Sequence, residues 1–206
     1  VLERIESLTK LGPLHHPGEI AGIKAMIEKI PHAKEVAVFD TAFHQTMPKR
    51  NYIYAIPYEM YEKHGIRRYG FHGTSHKYIT EVMKEKLNKS DPNLIICHVG
   101  SGASVSCIKN GLCYDTSMGL TPLDGLIMGS RSGEIDPSII KYMMDECHLT
   151  ISEVDNILNK KSGLLGICGK SDFRDVVSLK EQGNELATLA YEMYMDAIIK
   201  HIGEYY

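Results

Sequence analysis

A glycine-rich turn at residues 98–102, His-Val-Gly-Ser-Gly, has the composition of a loop that holds a phosphate group. It separates two apolar, strand-like runs at 94–97 and 103–108. Glycines let backbone N–H groups converge on one point, and such loops bind anions. The alternative is a hairpin with flexible turns and no ligand. The candidate binding residues are His98, Val99, Gly100, Ser101 and Gly102.

Two isolated charged residues could act on such an anion. Asp40 follows the apolar run 36–39, which predicts a buried parallel strand. An acidic residue at the carboxyl end of such a strand lies where α/β proteins bind ligands, although a capping or turn aspartate is the alternative. Arg131 lies between serines and glycines, and a guanidinium matches the geometry of phosphate. Its alternative is a surface ion pair.

His72 and His76 are four residues apart, a spacing that raises the possibility of a zinc pair. Gly73 lies between them, and Thr74 or Ser75 is a candidate cap for a helix that runs to about residue 87. His72 would then lie in a loop and His76 in the first helical turn. This placement favours a polar loop with one functional histidine over a zinc pair.

The segment 162–171 ends in Gly-Lys-Ser, like a P-loop. A P-loop needs a glycine five positions before its second glycine, and Leu164 occupies that position here. The segment also follows a predicted helix instead of a strand. Spacing and context therefore exclude a P-loop.

The surrounding pattern predicts the elements that position these residues. Asn110-Gly111 between strand-like runs predicts a hairpin. Pro137 opens a predicted helix, Thr150 to Glu153 form a capping box for another, and residues 172–174 lead into a third. Residues 184–206 form a long helical pattern with apolar residues around most of its surface, which predicts burial. The fold class is α/β.

Composition excludes several classes of function. The chain has 206 residues and a formal net charge of −3, so no basic surface for nucleic acid is indicated. No apolar run reaches the roughly 18 residues of a membrane helix. The five cysteines form no C-x-x-C pair, which argues against zinc and suits a reducing cytoplasm. Because the chain begins without Met and stops within a helical pattern, we expect it to be a piece of a longer protein.

Taken together, the motifs resemble the acetate kinase (acetokinase) family of the actin, Hsp70 and hexokinase superfamily. The matching blocks occur in the family's order over essentially the whole chain: PLHHP (13–17), VFDTAFHQTMP (38–48), RRYGFHGTSH (67–76), ICHVGSGAS (96–104), DTSMGLTPLDGLIMGSRSGEIDP (115–137) and SGLLGICGKSDFRD (162–175).

The resemblance implies two RNase H-like domains that close over a cleft. Residues 1–43 would be the C-terminal part of the first domain, and residues 44–206 most of the second. It also implies a homodimer formed through the second domain.

The resemblance further implies reversible transfer of the γ-phosphoryl group of ATP to acetate, giving acetyl phosphate and ADP, with Mg²⁺. The implied catalytic residues are Asp40, His72 and Arg131. The implied nucleotide-binding residues are His98 to Gly102 for the phosphates, and Asp172, Phe173 and Arg174 for the nucleoside. The implied acyl pocket consists of Leu14, His15, Phe71 and Pro122. A carboxylate acceptor is already ionised at neutral pH, so Asp40 would organise Mg²⁺, water or the nearby arginine instead of accepting a proton.

The sequence departs from the family's pattern in specific places. Ser101 replaces the usual Asn of the phosphate loop and removes an amide, and Ser130 replaces the usual Thr before Arg131. The family's N-terminal Asn-x-Gly-Ser-Ser-Ser loop, its substrate-binding Arg, the Gly-Ile-Gly-Glu-Asn segment and a C-terminal Glu near magnesium are not in these 206 residues. We therefore expect no magnesium ligand in this chain, and no turnover by the chain alone.

Two other functions share most of these motifs. A sister kinase for propionate or butyrate would differ only in substrate preference. A non-catalytic member of the superfamily would use ATP to change conformation and would form no acyl phosphate.

Overall fold

The computed structural model describes residues 1–9 and 16–206, which form two compact units, 1–39 and 40–206. The first unit contains helices α1 (Leu2–Ser7) and α2 (His16–Lys29). An exposed ion pair between Lys24 and Glu6 joins them at 2.6 Å. The division into domains at residues 43 and 44 stays a prediction.

The predicted buried strand at residues 36–39 is wrong. These residues have no strand assignment, and Val36 and Val38 are 81% and 73% exposed. A strand needs a neighbour for its backbone N–H and C=O groups. Within the described part of the chain, no strand pairs with this segment. Asp40 therefore follows an exposed segment without regular secondary structure.

The second unit is built on a three-stranded antiparallel sheet in the order β1-β2-β3. Its strands are β1 (Leu94–Val99), β2 (Ala103–Lys109) and β3 (Leu112–Thr116). Asn110 and Gly111 join β2 to β3 with φ of 53° and 73°, the positive values that a type I′ hairpin turn requires. Residues 100–102 join β1 to β2, because Val99 pairs with Ala103. The predicted hairpin and its glycine loop are confirmed.

The second unit also contains helices. They are α3 (Lys49–Tyr52), α4 (Glu59–His64), α5 (Gly73–Leu87), α6 (Ser138–Asp145), α7 (Ile151–Lys160), α8 (Gly163–Cys168), α9 (Phe173–Glu181) and α10 (Glu185–Tyr205), with a 3-10 helix at Ala42–Thr46. Thr150 and Glu153 form the predicted capping box of α7. None of the helices in the described ranges is long and apolar enough to cross a bilayer.

The irregular segment between β3 and α6 belongs to the interior. Met118, Leu126 and Met128 are fully buried and pack with Ala103 and Val105 of β2. Their burial orders a stretch of chain that has little regular backbone hydrogen bonding, and it holds Arg131 close to the sheet.

The prediction that α10 is largely buried is wrong. Ala187, Ala190, Tyr194 and His201 face inward, whereas Leu186 and Ile199 are 55% and 60% exposed. The helix packs against α8, α9 and β2 on one side, and side chains at other positions of its 3.6-residue period point away from those neighbours.

Candidate active site

Asp40 binds the beginning of α5. Its Oδ2 accepts a hydrogen bond from the backbone N–H of His72 at 2.6 Å, and Oδ1 accepts from the Thr74 hydroxyl at 3.2 Å. The Asp40 carbonyl accepts from the N–H of Gly73 at 2.8 Å. The predicted cap by Thr74 or Ser75 is wrong, because the helix begins at Gly73 and a residue distant in sequence satisfies its first N–H groups. Asp40 thus ties the chain segment before the 3-10 helix to the loop that carries His72.

His72 occupies the N-cap position of α5 with a left-handed backbone, φ 58° and ψ 23°. This conformation is uncommon for a residue other than glycine and is concentrated at functional sites. Its ring stacks on that of His98, with the ring centroids 4.0 Å apart. Burial lowers the pKa of His72 to about 4, with further lowering from His98 and Arg131 and a partial offset from Asp40. The ring is therefore neutral at physiological pH.

Gly102, His72 and Arg131 border one small space. A methyl group built on Gly102 would lie 3.4 Å from Nε2 of His72 and 3.6 Å from Nη1 of Arg131. Arg131 Nη1 also donates to the carbonyl of Pro122 at 3.1 Å. Among residues 1–9 and 16–206, no carboxylate lies within 4.0 Å of the Arg131 guanidinium, so the alternative of a surface ion pair is not realised. A ring nitrogen of His72 and the Arg131 guanidinium can thus face the same anion.

The loop at 100–102 offers fewer free backbone N–H groups to a ligand than its two glycines suggest. The Gly100 N–H donates to the Gly102 carbonyl at 3.0 Å. The N–H groups of Ser101 and Gly102 have no protein partner within the part of the chain that the structure describes. These two amides can bind a phosphate oxygen. The Ser101 carbonyl accepts from Gly129 N–H at 3.2 Å, which fixes the loop against the segment before Arg131.

The second predicted nucleotide segment follows Ser171, which lies close to Gly129. A methyl group on Gly129 would lie 2.8 Å from the carbonyl oxygen of Ser171 and 3.5 Å from that of Ser101. Asp172 then caps α9 and binds the Arg174 side chain, with Nη2 and Oδ2 2.5 Å apart. That guanidinium lowers the pKa of Asp172 to about 2. Phe173 packs against Tyr191 and Tyr194. The structure therefore brings the two predicted nucleotide segments together around Gly129.

The predicted acyl pocket is only partly described. Phe71 packs against the core beside Ala103, and its carbonyl lies 2.8 Å from Nε2 of His44. Pro122 contacts Arg131 through its carbonyl. Leu14 and His15 lie outside the described residues.

Four histidines meet beneath the loop: His44, His72, His76 and His98. The fully buried Ser104 hydroxyl lies 2.9 Å from Nδ1 of His72 and 2.8 Å from Nε2 of His76. Burial lowers the pKa of His76 to about 3, and the other three histidines lower it further. Sequence reasoning gave no role to His44 or Ser104. Ser104 lies between the apolar residues Ala103 and Val105, which is a weak sign of a buried polar group, and the neighbours of His44 give no such sign.

The two histidines of the zinc hypothesis share a hydroxyl group. Throughout the described ranges, no cluster of three or more His, Cys, Asp or Glu side chains could hold a metal ion. The site combines neutral imidazole, guanidinium and loop amides around one space, a set of groups suited to stabilising the oxygens of a phosphate.

Comparison with known proteins gives the same family over the whole chain. The model of the acetokinase family matches residues 1–206. The chain is 56% identical over its full length to the acetate kinase of Natranaerobius thermophilus and 55% identical over 99% of its length to that of Bacillus subtilis. It covers 52% of each of these proteins and so spans about half the length of its curated relatives.

Solved structures agree on the fold. A propionate kinase from Francisella tularensis matches with a TM-score of 0.97 and 50% identity, covering 99% of this chain and 53% of that one. The acetate kinase of Porphyromonas gingivalis matches with a TM-score of 0.93 and 44% identity, covering 99% of this chain and 52% of the other. The predicted α/β fold of RNase H-like type is confirmed.

Proposed function

The chain belongs to the acetokinase family, and we propose that the whole protein transfers the γ-phosphoryl group of ATP to acetate, reversibly, giving acetyl phosphate and ADP. The observation that carries this proposal is the space bordered by Gly102, Nε2 of His72 and Nη1 of Arg131. Phosphoryl transfer is catalysed mainly by positioning and by stabilising charge on the equatorial oxygens. Two hydrogen-bond donors directed at one point would stabilise the charge on such an oxygen.

His72 and Arg131 are the proposed donors to the transferred group. The ring is neutral, so His72 would act through a hydrogen bond, while Arg131 would supply positive charge. Asp40 positions His72 by binding its backbone N–H. No base is needed, because a carboxylate acceptor is ionised at neutral pH.

The nucleotide would bind along Gly129. The proposed phosphate contacts are the amides of Ser101 and Gly102, and His98 supports the ring of His72 from behind. Residues 172–174 lie beyond Ser171 and are the proposed contacts for the nucleoside. Phe71 and Pro122, beside His72 and Arg131, would border the acyl group.

We propose Mg²⁺ as the cofactor that accompanies ATP. Magnesium is bound through one or two carboxylates together with substrate phosphates and water. Among the described residues, Asp40 is the one carboxylate that the site offers. Its oxygens already accept hydrogen bonds from the start of α5, so it fits contact through water better than direct ligation. When bound, the ion neutralises charge on the phosphate oxygens.

Propionate is the second candidate acceptor, because the Francisella relative of known structure is named a propionate kinase. A single methylene in an apolar pocket changes selectivity by about 1–3 kcal/mol, which is about 10–200-fold, so a series of acids can separate the two candidates. We also propose a homodimeric protein in the cytoplasm. The five cysteines, all unpaired, fit a reducing compartment.

The experiment supplies the whole protein with ATP, Mg²⁺ and, in turn, acetate, propionate and butyrate, and traps acyl phosphate with hydroxylamine. Asp40→Ala is the inactive control. We expect the most acyl hydroxamate with acetate and almost none from the variant. ATP hydrolysis without hydroxamate from any acid would contradict the proposal and would favour a nucleotide-driven switch.

A further inference from the structure

The Ser104 hydroxyl lies between two imidazole rings and has one proton to give. Its oxygen is 2.9 Å from Nδ1 of His72 and 2.8 Å from Nε2 of His76, and Ser104 is completely buried on β2. Both distances are those of hydrogen bonds. Ser104 can donate to only one ring nitrogen, so the other nitrogen must carry a proton and donate to the Ser104 oxygen.

Two arrangements of the protons on His72, Ser104 and His76 satisfy both hydrogen bonds. Burial lowers the pKa of both rings, to about 4 for His72 and about 3 for His76, so each is neutral and carries one N–H. In one arrangement the N–H of His72 is on Nδ1, and Nε2 presents a lone pair to the space beside Gly102. In the other, Ser104 donates to Nδ1, and the N–H of His72 is on Nε2.

The environment of His76 favours the second arrangement. Its Nδ1 is buried and has no hydrogen-bond partner among the described residues. If the proton of His76 were on Nδ1, a buried N–H would be left without an acceptor, whereas with the proton on Nε2 the unpaired atom is a bare ring nitrogen. Unpaired buried N–H groups are rarer in proteins than unpaired acceptors. The proton of His76 then lies between Nε2 and Ser104.

We propose that His76 and Ser104 are positioning residues that hold His72 in the tautomer with its proton on Nε2, so that it donates a hydrogen bond to the phosphoryl group. The chain of donors runs from His76 Nε2–H to Ser104 Oγ, and from Ser104 Oγ–H to His72 Nδ1. The N–H of His72 then faces the space that Arg131 also borders. This role rests on the proposed function, but the tautomer itself can be measured without any turnover.

The geometry leaves His72 little freedom to respond otherwise. Asp40 holds its backbone N–H, and His98 stacks on one face of its ring. A half-turn of the ring about its Cβ–Cγ bond would move Nδ1 away from Ser104 and break that hydrogen bond. The hydroxyl therefore selects the tautomer of a ring whose direction is already fixed.

The first measurement is the tautomer of His72 in the whole protein with ¹⁵N-labelled histidine. The ¹⁵N shifts of a ring distinguish a protonated from a bare nitrogen, and the spectrum of His72→Gln identifies the signals. We expect protonated Nε2 and bare Nδ1 in the wild type. Protonated Nδ1 in the wild type would overturn the proposal, whether or not the protein forms acyl phosphate.

The second measurement compares two serines of the same strand. Ser106 is also completely buried on β2, and its hydroxyl binds Thr116 instead of a histidine. We expect Ser104→Ala to give mixed tautomers of His72 and a fall in kcat of about ten-fold, the effect of losing one ordinary hydrogen bond, with little change in KM. Ser106→Ala should keep the wild-type tautomer and kcat.

Ser104→Cys keeps a weak donor of similar size and should give an intermediate kcat, which covers the case in which Ser104→Ala does not fold. Equal kcat values for Ser104→Ala and Ser106→Ala would overturn the positioning role. A wild-type protein that forms no acyl phosphate would remove the proposed function, while the ¹⁵N spectrum would still decide the tautomer.

Discussion

Gly102→Ala tests the space on which the proposed chemistry depends. The added methyl carbon would lie 3.4 Å from Nε2 of His72 and 3.6 Å from Nη1 of Arg131, with no closer contact. A phosphoryl oxygen bound by both groups must lie about 2.7–3.1 Å from each nitrogen. The methyl group therefore fits the protein but occupies the position of the oxygen.

The expected cost follows from the donors that are lost. Removing one donor to a developing oxyanion lowers kcat by about 10²–10³. We expect Gly102→Ala to lower kcat at least about 100-fold. Gly102 does not have a positive φ, so an alanine adopts its backbone, and the change in the free energy of unfolding should stay below about 1 kcal/mol.

The assay is acyl hydroxamate formation by the whole protein, with thermal denaturation alongside. Gly203→Ala is the matched control, because Gly203 lies on α10 and a methyl group there meets no atom within 4 Å. It should keep full activity. A Gly102→Ala protein with wild-type kcat and KM would refute the assignment of this space to the transferred group.

Three further predictions concern the same site. Asp40→Ala should lower the free energy of unfolding by about 1 kcal/mol, the usual cost of losing a helix cap. Asp40→Asn keeps a hydrogen-bond acceptor and should lower it less. Equal losses for the two variants in denaturation experiments would exclude the capping role. Ser101→Asn should lower the KM for ATP by about five-fold, the effect of one added hydrogen bond, and an unchanged KM would exclude a phosphate contact from this position. Acidification should destabilise the protein from about pH 6.5 downward, because the pKa of His76 is lowered to about 3 and the unfolded chain binds the proton first. The fall in the free energy of unfolding should reach up to about 1.4 kcal/mol per pH unit for this residue, and a flat profile between pH 6.5 and 4 would contradict the burial of a neutral ring. The other titratable or charged groups that act on His76, or on the neighbouring ring of His72, are His44, His98, Asp40, Arg131 and His72 itself.

Local signals in the sequence predicted local structure well. Asn110-Gly111 predicted its hairpin because both residues tolerate positive φ. Thr150 and Glu153 predicted the start of α7 because a capping box involves only neighbouring residues. The predicted strand at 36–39 was wrong because a strand depends on a partner elsewhere in the chain, and an apolar run does not reveal whether that partner is present.

The site could be predicted as a set of residues but not as an arrangement. Asp40 and His72 are 32 positions apart, and only the fold shows that one binds the backbone of the other. In the sequence, Ser104 is indistinguishable from an ordinary strand residue. Its role depends on the rings of two residues at the beginning of α5, and no local pattern on β2 indicates them.

The most direct test of the central claim is ³¹P NMR of the whole protein with ATP, Mg²⁺ and acetate, compared with its Arg131→Ala variant. The wild type should produce acetyl phosphate and ADP in equal amounts, and the variant should produce almost none. Release of inorganic phosphate without acetyl phosphate, or an Arg131→Ala variant as active as the wild type, would contradict phosphoryl transfer to acetate at this site.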